Sequence, residues 1–451
     1  MGPWAAPRPR SAFLSLTLAS VTALECLARD LLKWGLMHRQ ITGCRICGSE
    51  WLDVLLDLGT QFLTGVFPRS VDESLTKGPL TLVRCEECGL VQLLYSYERT
   101  ELYGAHYGYR SSLNRKMVSH LEDKARMLLG AVDLRPDDVV VDIGSNDGTL
   151  LSFFSGKNLC LLGVDPSAAR WRGGYPVDSR LIADFFSADL FRSALGGRKA
   201  RIVTSIAMFY DLERPLEFVR EVADILADDG IWHLEQSYLP AMLRANAYDT
   251  VCHEHVEYYA VAQIKWLADK VGLTILDVEE NDVNGGSFAV TLGRARRRGE
   301  GCGTRVARLL DEERRLGFDS LRPFKEFRDR VMTHKRELRE RLEAIRARGN
   351  SVLGYGASTK GNVILQFTGI DRNLLPAIAE VNEDKFGCVT PGTWIPIISE
   401  AEARARKPDY FLVFPWHFRA GLVEREAAYL AAGGKLMFPL PSIEVVSTSH
   451  R

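Results

Sequence analysis

The residues whose types and spacing first suggest chemistry form a short loop after the β-branched run Val139–Ile143. A β-branched run, a turn with glycines and an amphipathic restart predict the opening of a βαβ unit, in which backbone N–H groups face a ligand. Asn146 and Asp147 stand where a dinucleotide-binding loop has bare backbone, and a carboxylate there would repel a pyrophosphate. The loop therefore favours a zwitterionic ligand of the nucleotide type. Its residues are Gly144, Ser145, Asn146, Asp147 and Gly148.

Two further acidic positions follow this loop. Asp165 ends the next apolar run about 20 residues on, where its carboxylate can accept from ribose hydroxyls. Asp184 and Phe185 then offer a carboxylate and an aromatic ring suited to the edge and the face of an adenine. With Asp142 before the loop, these elements resemble the motifs of class I S-adenosylmethionine (SAM)-dependent methyltransferases, and the resemblance implies SAM as the cofactor. A strand, turn and helix without any ligand is the alternative.

Four cysteines occur as two C-x-x-C pairs, each with a glycine directly after the second cysteine. Four thiolates at this spacing can close a tetrahedral Zn²⁺ site and leave no open position for a reacting molecule, so we expect a structural zinc ion. A redox pair is the alternative, although a thioredoxin-type motif is normally single and opens a helix. The four residues are Cys44, Cys47, Cys85 and Cys88.

One segment combines His253, Glu254 and His255. Its His spacing differs from the i, i+4 spacing of helical zinc proteases, which makes a catalytic zinc site the weaker interpretation. A histidine beside a carboxylate fits a general base, because the carboxylate fixes its tautomer and stabilises its conjugate acid; ordinary structural histidines are the alternative. Upstream, Tyr107 and Tyr109 lie in a stretch of aromatic and polar residues that predicts one wall of a polar pocket, or else a packed linker.

A second glycine-rich loop lies near the C-terminus, where Gly354–Tyr355–Gly356 precedes a run of hydroxyl and amine side chains. This pattern predicts a diphosphate-binding loop at a helix start. NAD binding is the competing interpretation, because Glu380 stands about where an acid for a ribose would be. Asn284 lies in a turn before an edge strand and is expected at the same rim. The predicted substrate-binding residues are Ser358, Thr359, Lys360, Asn362 and Asn284.

The composition of the 451 residues limits the possible classes of protein. Lys+Arg number 57 and Asp+Glu 58, so the chain lacks the basic excess typical of nucleic-acid-binding proteins and favours a small-molecule partner. Nine cysteines are too sparse for a disulfide scaffold, which indicates a reducing, cytoplasmic setting. An apolar run between residues 11 and 21 imitates a secretory signal, but hydroxyl residues interrupt it and charges follow soon after. We expect a poorly ordered extension there and no membrane span.

Hydrophobic periodicity divides the chain into three α/β or zinc-binding parts. Strands and helices alternate through the middle of the chain, which predicts one doubly wound sheet of the class I methyltransferase type. A charged helical connector leads from it to a second Rossmann-like α/β domain. The predicted boundaries are 1–40 for the extension, 41–112 for the zinc-binding module, 113–299 for the SAM domain, and 300–451 for the connector and the C-terminal domain.

The order of these motifs closely resembles the zinc-containing three-domain nucleotide-sugar C-methyltransferases, which methylate C3 of dTDP-4-keto-deoxyhexoses. The resemblance covers roughly residues 41 to 446 and implies a nucleotide-sugar substrate and a monomer or homodimer. It implies His255 as the base next to Glu254, and Tyr107 or Tyr109 as an active-site tyrosine. The chain departs from the family pattern at two positions, where Cys252 replaces an expected tyrosine and Tyr210 an expected histidine.

Carbon methylation needs an acidic C–H bond, which a ketone provides at the neighbouring carbon. We therefore expect His255 to remove that proton, Glu254 to orient and stabilise the imidazolium, and Tyr107, Tyr109 or Tyr210 to donate to the developing oxyanion. Methylation of oxygen or nitrogen on another small molecule, and a non-catalytic scaffold that binds SAM or NAD, are the alternatives.

Overall fold

The computed structural model describes residues 38–103, 109–294 and 302–448. The predictions for the N-terminal extension and for Tyr107 lie outside these residues. Among the described residues, no helix combines the length and the apolar character that crossing a bilayer requires.

The N-terminal module is built on an antiparallel hairpin whose register pairs Leu52 with Cys85. Its inward positions, including Leu56, Leu80 and Leu82, are almost completely buried, whereas charged residues alternate with them on the outer face. The elements of this module are β1 (His38–Gln40), β2 (Leu52–Phe62), β3 (Lys77–Cys85), β4 (Val91–Leu93), β5 (Tyr95–Tyr97) and α1 (Arg99–Tyr103).

The middle of the chain forms a seven-stranded sheet. Its central strand is buried along its whole length because helices cover both faces, which is why it reads as a continuous β-branched run. The elements are α2 (Arg115–Ala131), β6 (Val139–Ile143), α3 (Thr149–Ser152), β7 (Cys160–Val164), β8 (Arg180–Ile182), α4 (Ala188–Leu195), β9 (Ala200–Ile206), α5 (Pro215–Ile225), β10 (Leu226–Ser237), α6 (Leu239–Arg244), β11 (Glu257–Tyr258), α7 (Val261–Lys270), β12 (Leu273–Asn281) and β13 (Ser287–Arg294).

The strand order of this sheet is β12-β13-β10-β9-β6-β7-β8, with parallel pairs from β10 to β8 and antiparallel pairs at β13. The order reverses at β6, so the loops after β6, β7 and β9 meet at one end of the sheet, where open α/β folds bind ligands. The class I methyltransferase fold predicted from the sequence is confirmed.

Strand β11 does not join the large sheet. It pairs with β4 of the N-terminal module, where Glu257 lies opposite Gln92, and extends that sheet to the order β11-β4-β3-β2. The segment that carries His253, Glu254 and His255 therefore runs directly into the sheet of the cysteine-containing module.

The C-terminal domain follows two long helices and contains a six-stranded sheet of order β16-β15-β14-β17-β18-β19, parallel except for its last pair. The charged connector has a buried apolar stripe that includes Phe324, Val331 and Leu338. The elements are α8 (Cys302–Arg315), α9 (Arg322–Ala347), β14 (Val352–Tyr355), α10 (Thr359–Thr368), β15 (Ile378–Glu380), β16 (Ile397–Ser399), α11 (Glu400–Ala405), β17 (Tyr410–Val413), α12 (Arg419–Arg425), α13 (Ala427–Ala431), β18 (Lys435–Phe438) and β19 (Glu444–Val446).

The three parts share their cores. Leu56 and Leu82 of the N-terminal module pack in the same apolar cluster as Ile364 of the C-terminal domain, whereas Cys44 and Ile46 pack in the cluster of the large sheet. The N-terminal module is thus wedged between the two α/β domains, and it gains the burial that its own small core lacks.

Candidate active site

Two turns bring the four cysteines of the N-terminal module together. In each turn a glycine with positive φ, Gly48 or Gly89, donates its N–H to the carbonyl of the first cysteine, Cys44 or Cys85. All four sulfur atoms lie within 4.8 Å of one another, and two pairs are 3.5 Å apart. Thiolates at Zn–S distances of ~2.3 Å around a tetrahedral ion lie about 3.8 Å apart, so this set fits zinc. The four thiols are free of disulfides.

The loop after β6 is held in shape by its own side chains and by the neighbouring strand. Gly144 has φ of +74°, and a Cβ there would lie 2.7 Å from the side chain of Met208, so only glycine fits. The carboxylate of Asp165 accepts from the backbone N–H of Asn146 at 2.9 Å and from both the N–H and the hydroxyl of Ser167. Asp165 therefore fixes the loop as well as facing the cleft.

Asn146 and Asp147 make hydrogen bonds that hold residues 109–112 against this loop. The amide of Asn146 accepts from the N–H of Ser111 and donates to the carbonyl of Tyr109, each at 3.0 Å. Asp147 accepts from the N–H of Ser112 at 3.0 Å. Burial alone would raise the pKa of Asp147, but hydrogen bonds from Ser112 and Thr149 hold it below its ordinary value. These contacts account for the polar residues that distinguish the loop from a dinucleotide-binding one.

An open cleft lies at this end of the sheet, bordered by the residues that follow β6, β7 and β9. Phe185 lines it beneath the guanidinium of Arg99, whose carbon lies 4.4 Å from the ring centre. Asp147 and Gly148, predicted as cofactor-binding residues, lie outside its lining, because Asp147 faces Ser112 and Gly148 packs beneath Tyr175. The predicted residues that line the cleft are Asp142, Gly144, Ser145, Asn146, Asp165, Asp184, Phe185 and Tyr109.

The expected pairing of Glu254 with His255 is wrong. Glu254 is buried and turns toward the N-terminal module, where it accepts from the hydroxyl of Thr64 at 3.3 Å. His255 instead places Nδ1 3.0 Å from the carbonyl of Thr250. A turn closed by the N–H of His255 on the carbonyl of Cys252 separates them, so the two side chains have different partners.

The surroundings of His255 keep its imidazole neutral. The carbonyl of Thr250 can only accept, so Nδ1 carries the proton and Nε2 keeps a lone pair. Burial, and after it the positive charge of Lys360, lower the pKa of His255 to about 3. The ring also packs against Tyr210, with centroids 4.3 Å apart.

His255 and Tyr210 adjoin the cleft. Asp211, directly after Tyr210, lines the cleft together with Tyr103, whose hydroxyl donates to the carbonyl of Glu254 at 3.0 Å. Burial raises the pKa of Asp211 well above its ordinary value. His253 lies elsewhere, edge-on to Tyr97 in the N-terminal module, and the His-Glu-His segment forms no metal-binding group among the described residues.

Side chains of the second glycine-rich loop make hydrogen bonds within the protein. Ser358 caps its own helix by accepting from the N–H of Gly361 at 3.0 Å, and the buried Asn362 donates to the carbonyl of Thr64 at 2.7 Å. Both side chains therefore also support the fold, and their contact with a substrate stays a prediction. Thr359 begins the helix beside Gly65.

Lys360, the residue predicted to bind a diphosphate, reaches the neighbouring α/β domain. Its amine donates to the carbonyl of Asn284 at 2.9 Å, which joins the C-terminal domain to the rim turn of the SAM domain. Glu380, the acid of the NAD interpretation, accepts backbone N–H groups from Ala357, Val381 and Asn382. Its carboxylate thus stabilises the loop, which disfavours a ribose contact.

Known proteins match the chain over most of its length. Three family models match it: a zinc binding domain over residues 44–103, a methyltransferase domain over 110–278, and a C-methyltransferase C-terminal domain over 282–441. The C-methyltransferase NovU of Streptomyces niveus is 32% identical over 417 residues, which are 91% of this chain and 98% of that protein. The chain belongs to the C-methyltransferase family.

Solved structures match a smaller part of this C-methyltransferase. The CcbJ methyltransferase from Streptomyces caelestis is 12% identical with a TM-score of 0.31, over 39% of this chain and 90% of that one. The mitomycin 7-O-methyltransferase MmcR is 14% identical with a TM-score of 0.32, over 41% of this chain and 56% of that one. The family membership gives the protein SAM as its cofactor and a structural zinc site.

Sequence reasoning missed several residues of the C-methyltransferase site. Arg99 and Tyr103 reach the cleft from a short helix of the zinc module, and Asp211 ends the turn after β9. His120 of α2 contacts Glu235 of β10 with 2.5 Å between Nε2 and Oε1. No local motif marks these residues, although the position of Glu235 near the end of a central strand was a usable signal.

We expect the affinity for SAM to rise as the pH increases through 7. Burial, together with the charge of Asp165, raises the pKa of Asp142 to about 7, although a hydrogen bond from Thr204 opposes this shift. Below that pH Asp142 is mainly protonated, and above it the carboxylate attracts a cationic ligand. Calorimetry between pH 6 and 8 should give a dissociation constant that falls by about threefold to tenfold.

Two variants test the origin of this pH dependence. Asp142→Asn should bind SAM weakly at every pH, because its side chain cannot ionise. Thr204→Val removes a hydrogen bond that favours the charged form, which raises the pKa of Asp142 and moves the midpoint to higher pH. A pH-independent affinity in the unaltered protein would contradict the assignment.

Proposed function

We propose that this C-methyltransferase transfers a methyl group from SAM to a carbon next to the ketone of a nucleotide-linked 4-keto-deoxyhexose. The observation that carries the proposal is a neutral imidazole, His255, with its tautomer fixed by Thr250 and its ring beside the cofactor cleft. A neutral nitrogen base is what removal of a carbon-bound proton requires, whereas oxygen or nitrogen acceptors have lone pairs already.

The basicity of His255 depends on what binds to Lys360. The ammonium lowers the pKa of the imidazole, and burial lowers it more. An anionic diphosphate held by Lys360 would offset the positive charge, so His255 would become more basic only when substrate is present. This arrangement supports a phosphorylated substrate over a neutral one, whose reacting carbon would lie between the two α/β domains.

The remaining side chains position and shield the reacting groups. Tyr210 packs on His255 and would donate to the ketone oxygen, while Tyr109 lines the cleft. When bound, SAM supplies an electrophilic methyl group to the carbon from which His255 has taken the proton. When bound, zinc holds the two cysteine turns together and supplies no reactive position. The free thiols of the zinc site support a reducing, cytoplasmic setting.

Product analysis tests the proposal. Purified protein incubated with SAM and dTDP-4-keto-6-deoxyglucose is expected to yield a sugar whose new methyl group is bonded to carbon next to the ketone, as identified by NMR. A methyl group on oxygen or nitrogen would contradict it. The same assay with matched UDP- and GDP-linked ketosugars identifies the nucleotide.

A further inference from the structure

The molecule contains a carboxylate-supported histidine, but it is His120 rather than His255. Nε2 of His120 lies 2.5 Å from Oε1 of Glu235. Burial would raise the pKa of Glu235, but the hydrogen bond from His120 and the charge of Lys124 lower it to about 2, so the carboxylate is ionised. An ionised carboxylate can only accept, so Nε2 carries a proton and Nδ1 is the nitrogen left for another partner.

His120 lies beside the space where the reaction would occur. Met117 and Leu121 of the same helix line the cofactor cleft, and His120 projects between them and β10. Glu235 accepts on its backbone carbonyl from Ala207, another cleft residue, at 2.7 Å. The side chain of His120 is 17% exposed, so it is reachable at this edge of the cleft.

The rim turn connects His120 with Lys360. The amide of Asn281 donates to the carboxylate of Glu235 at 2.9 Å, and its own oxygen accepts from the N–H of Val283. The next residue, Asn284, is the one whose carbonyl accepts from Lys360. His120 and His255 are thus both linked to the space between the SAM domain and the C-terminal domain.

Several charged groups surround His120. Glu235 and Glu279 contribute two negative charges, and Lys124, which contacts both at 3.0 and 2.7 Å, contributes one positive charge. Burial lowers the pKa of His233 on β10 to about 4, so His233 is neutral. Lys116, one turn along the helix, lies 5.8 Å from the ring centre of Phe418 in the C-terminal domain. The two carboxylates thus outnumber the one ammonium that contacts them beside His120.

We propose that His120, supported by Glu235, is the acid that donates a hydrogen bond to the ketone oxygen while His255 acts as the base. Two histidines in opposite electrostatic surroundings, one beside a carboxylate and one beside an ammonium, divide acid and base work between them. The inference deepens the proposed function and rests on it.

The two histidines account for the movement of the proton and of the electron pair. Nε2 of His255 takes the proton as the C–H bond breaks, and the electron pair moves onto the ketone oxygen, where Nδ1–H of His120 stabilises the negative charge. The C=O double bond then re-forms, and the electron pair of the enolate C=C bond makes the new bond to the SAM methyl group as the sulfur–methyl bond breaks. The ketone is restored, S-adenosylhomocysteine leaves, and one proton is released from His255.

The test measures proton removal separately from methyl transfer. Full-length protein is incubated in D₂O with dTDP-4-keto-6-deoxyglucose and S-adenosylhomocysteine, and NMR follows deuterium entering the carbon next to the ketone. We expect His120→Gln to lower both this exchange and kcat by about 10²–10³-fold. The affinity for SAM should stay within twofold of the unaltered value, because the side chain of His120 is not among those that line the cofactor cleft.

Two further variants separate catalysis from stability. Lys124→Met removes the other buried partner of Glu235, so it should lower the Tm about as much as His120→Gln while changing kcat by less than about tenfold. Glu235→Gln keeps the size of the side chain and removes the charge that supports His120, so it should lower kcat and the deuterium exchange together.

Each outcome decides the inference. Equal losses of kcat in His120→Gln and Lys124→Met, or deuterium exchange that persists unchanged in His120→Gln, would overturn the acid role and leave a structural ion pair. Absence of both exchange and methylation in the unaltered protein, with SAM bound, would instead remove the proposed function, and this inference would fall with it.

Discussion

The His255→Asn variant is expected to lose kcat by about 10²–10⁴-fold and to bind SAM with unchanged affinity. Asparagine preserves a donor toward the carbonyl of Thr250, so the local fold is retained, but it offers no basic nitrogen. His255 lies outside the lining of the cofactor cleft, which is why SAM should bind as before. Steady-state kinetics and calorimetry measure the two quantities independently.

Glu254→Gln is the matched control for this experiment. Burial raises the pKa of Glu254 and favours its protonated form, which glutamine imitates in size and in hydrogen bonding toward Thr64. We expect kcat to change by less than about tenfold, since the side chain points away from His255. A loss as large as that of His255→Asn would instead restore the carboxylate–histidine pair that the sequence suggested.

The pH profile provides a second check on His255. Without substrate its pKa is lowered to about 3, so the imidazole is neutral from pH 5 to 8 and its protonation should cause no acid limb in the profile of kcat/KM, which reports the free enzyme. If a carboxylate supported this base, the pKa would be raised and activity would fall between pH 7 and 6. An acid limb that disappears in His255→Asn would therefore contradict the assigned surroundings.

The sequence predicted the local elements of the site better than their contacts. Strand β6, its glycine turn and Asp165 could be recognised because a βαβ unit has a short-range signature of β-branched residues, glycine and a spaced acid. The four cysteines could be recognised for the same reason. These features depend on residues that are close in the chain or that repeat a fixed spacing.

The partners of the two key histidines depended instead on tertiary packing. Glu254 and His255 are neighbours in sequence, and the strand that follows them, β11, joins the sheet of the zinc module. Their side chains contact different residues, Thr64 for Glu254 and Thr250 for His255. His120 and Glu235 are 115 residues apart, and no spacing rule connects a helix before the sheet with a strand inside it. Such pairs follow from strand order, which periodicity alone does not give.

A series of hydrogen bonds connects the zinc module with the segment that carries His255. The guanidinium of Arg45, inside the first cysteine turn, donates to the carbonyl of Leu93 at 2.6 Å. The N–H of Leu93 in turn donates to the carbonyl of Val256 at 2.9 Å, and Val256 donates to the carbonyl of Tyr210 at 3.0 Å. Tyr210 packs on His255, so the positions of both side chains depend on the cysteine turns.

Loss of zinc should therefore abolish turnover as well as destabilise the N-terminal module. Cys85→Ser removes one of four thiolates from a site whose binding free energy is of order 10 kcal/mol in small zinc domains, and this module has little core of its own. We expect the zinc content to fall from one ion per chain to near zero by elemental analysis. The Tm should drop, and kcat should fall by more than about 10²-fold as His255 loses its fixed position.

Cys160→Ser is the matched control for loss of zinc, because Cys160 is a free cysteine at the start of β7, outside the zinc site. It should keep its zinc, its Tm within a few degrees and its kcat. Binding of SAM to zinc-free Cys85→Ser separates the two roles of the module. The cofactor cleft is formed mainly by the large sheet, so SAM should still bind within about tenfold of the unaltered affinity while catalysis fails. Full activity in a zinc-free protein would show that the cysteine turns hold the catalytic segment without the metal.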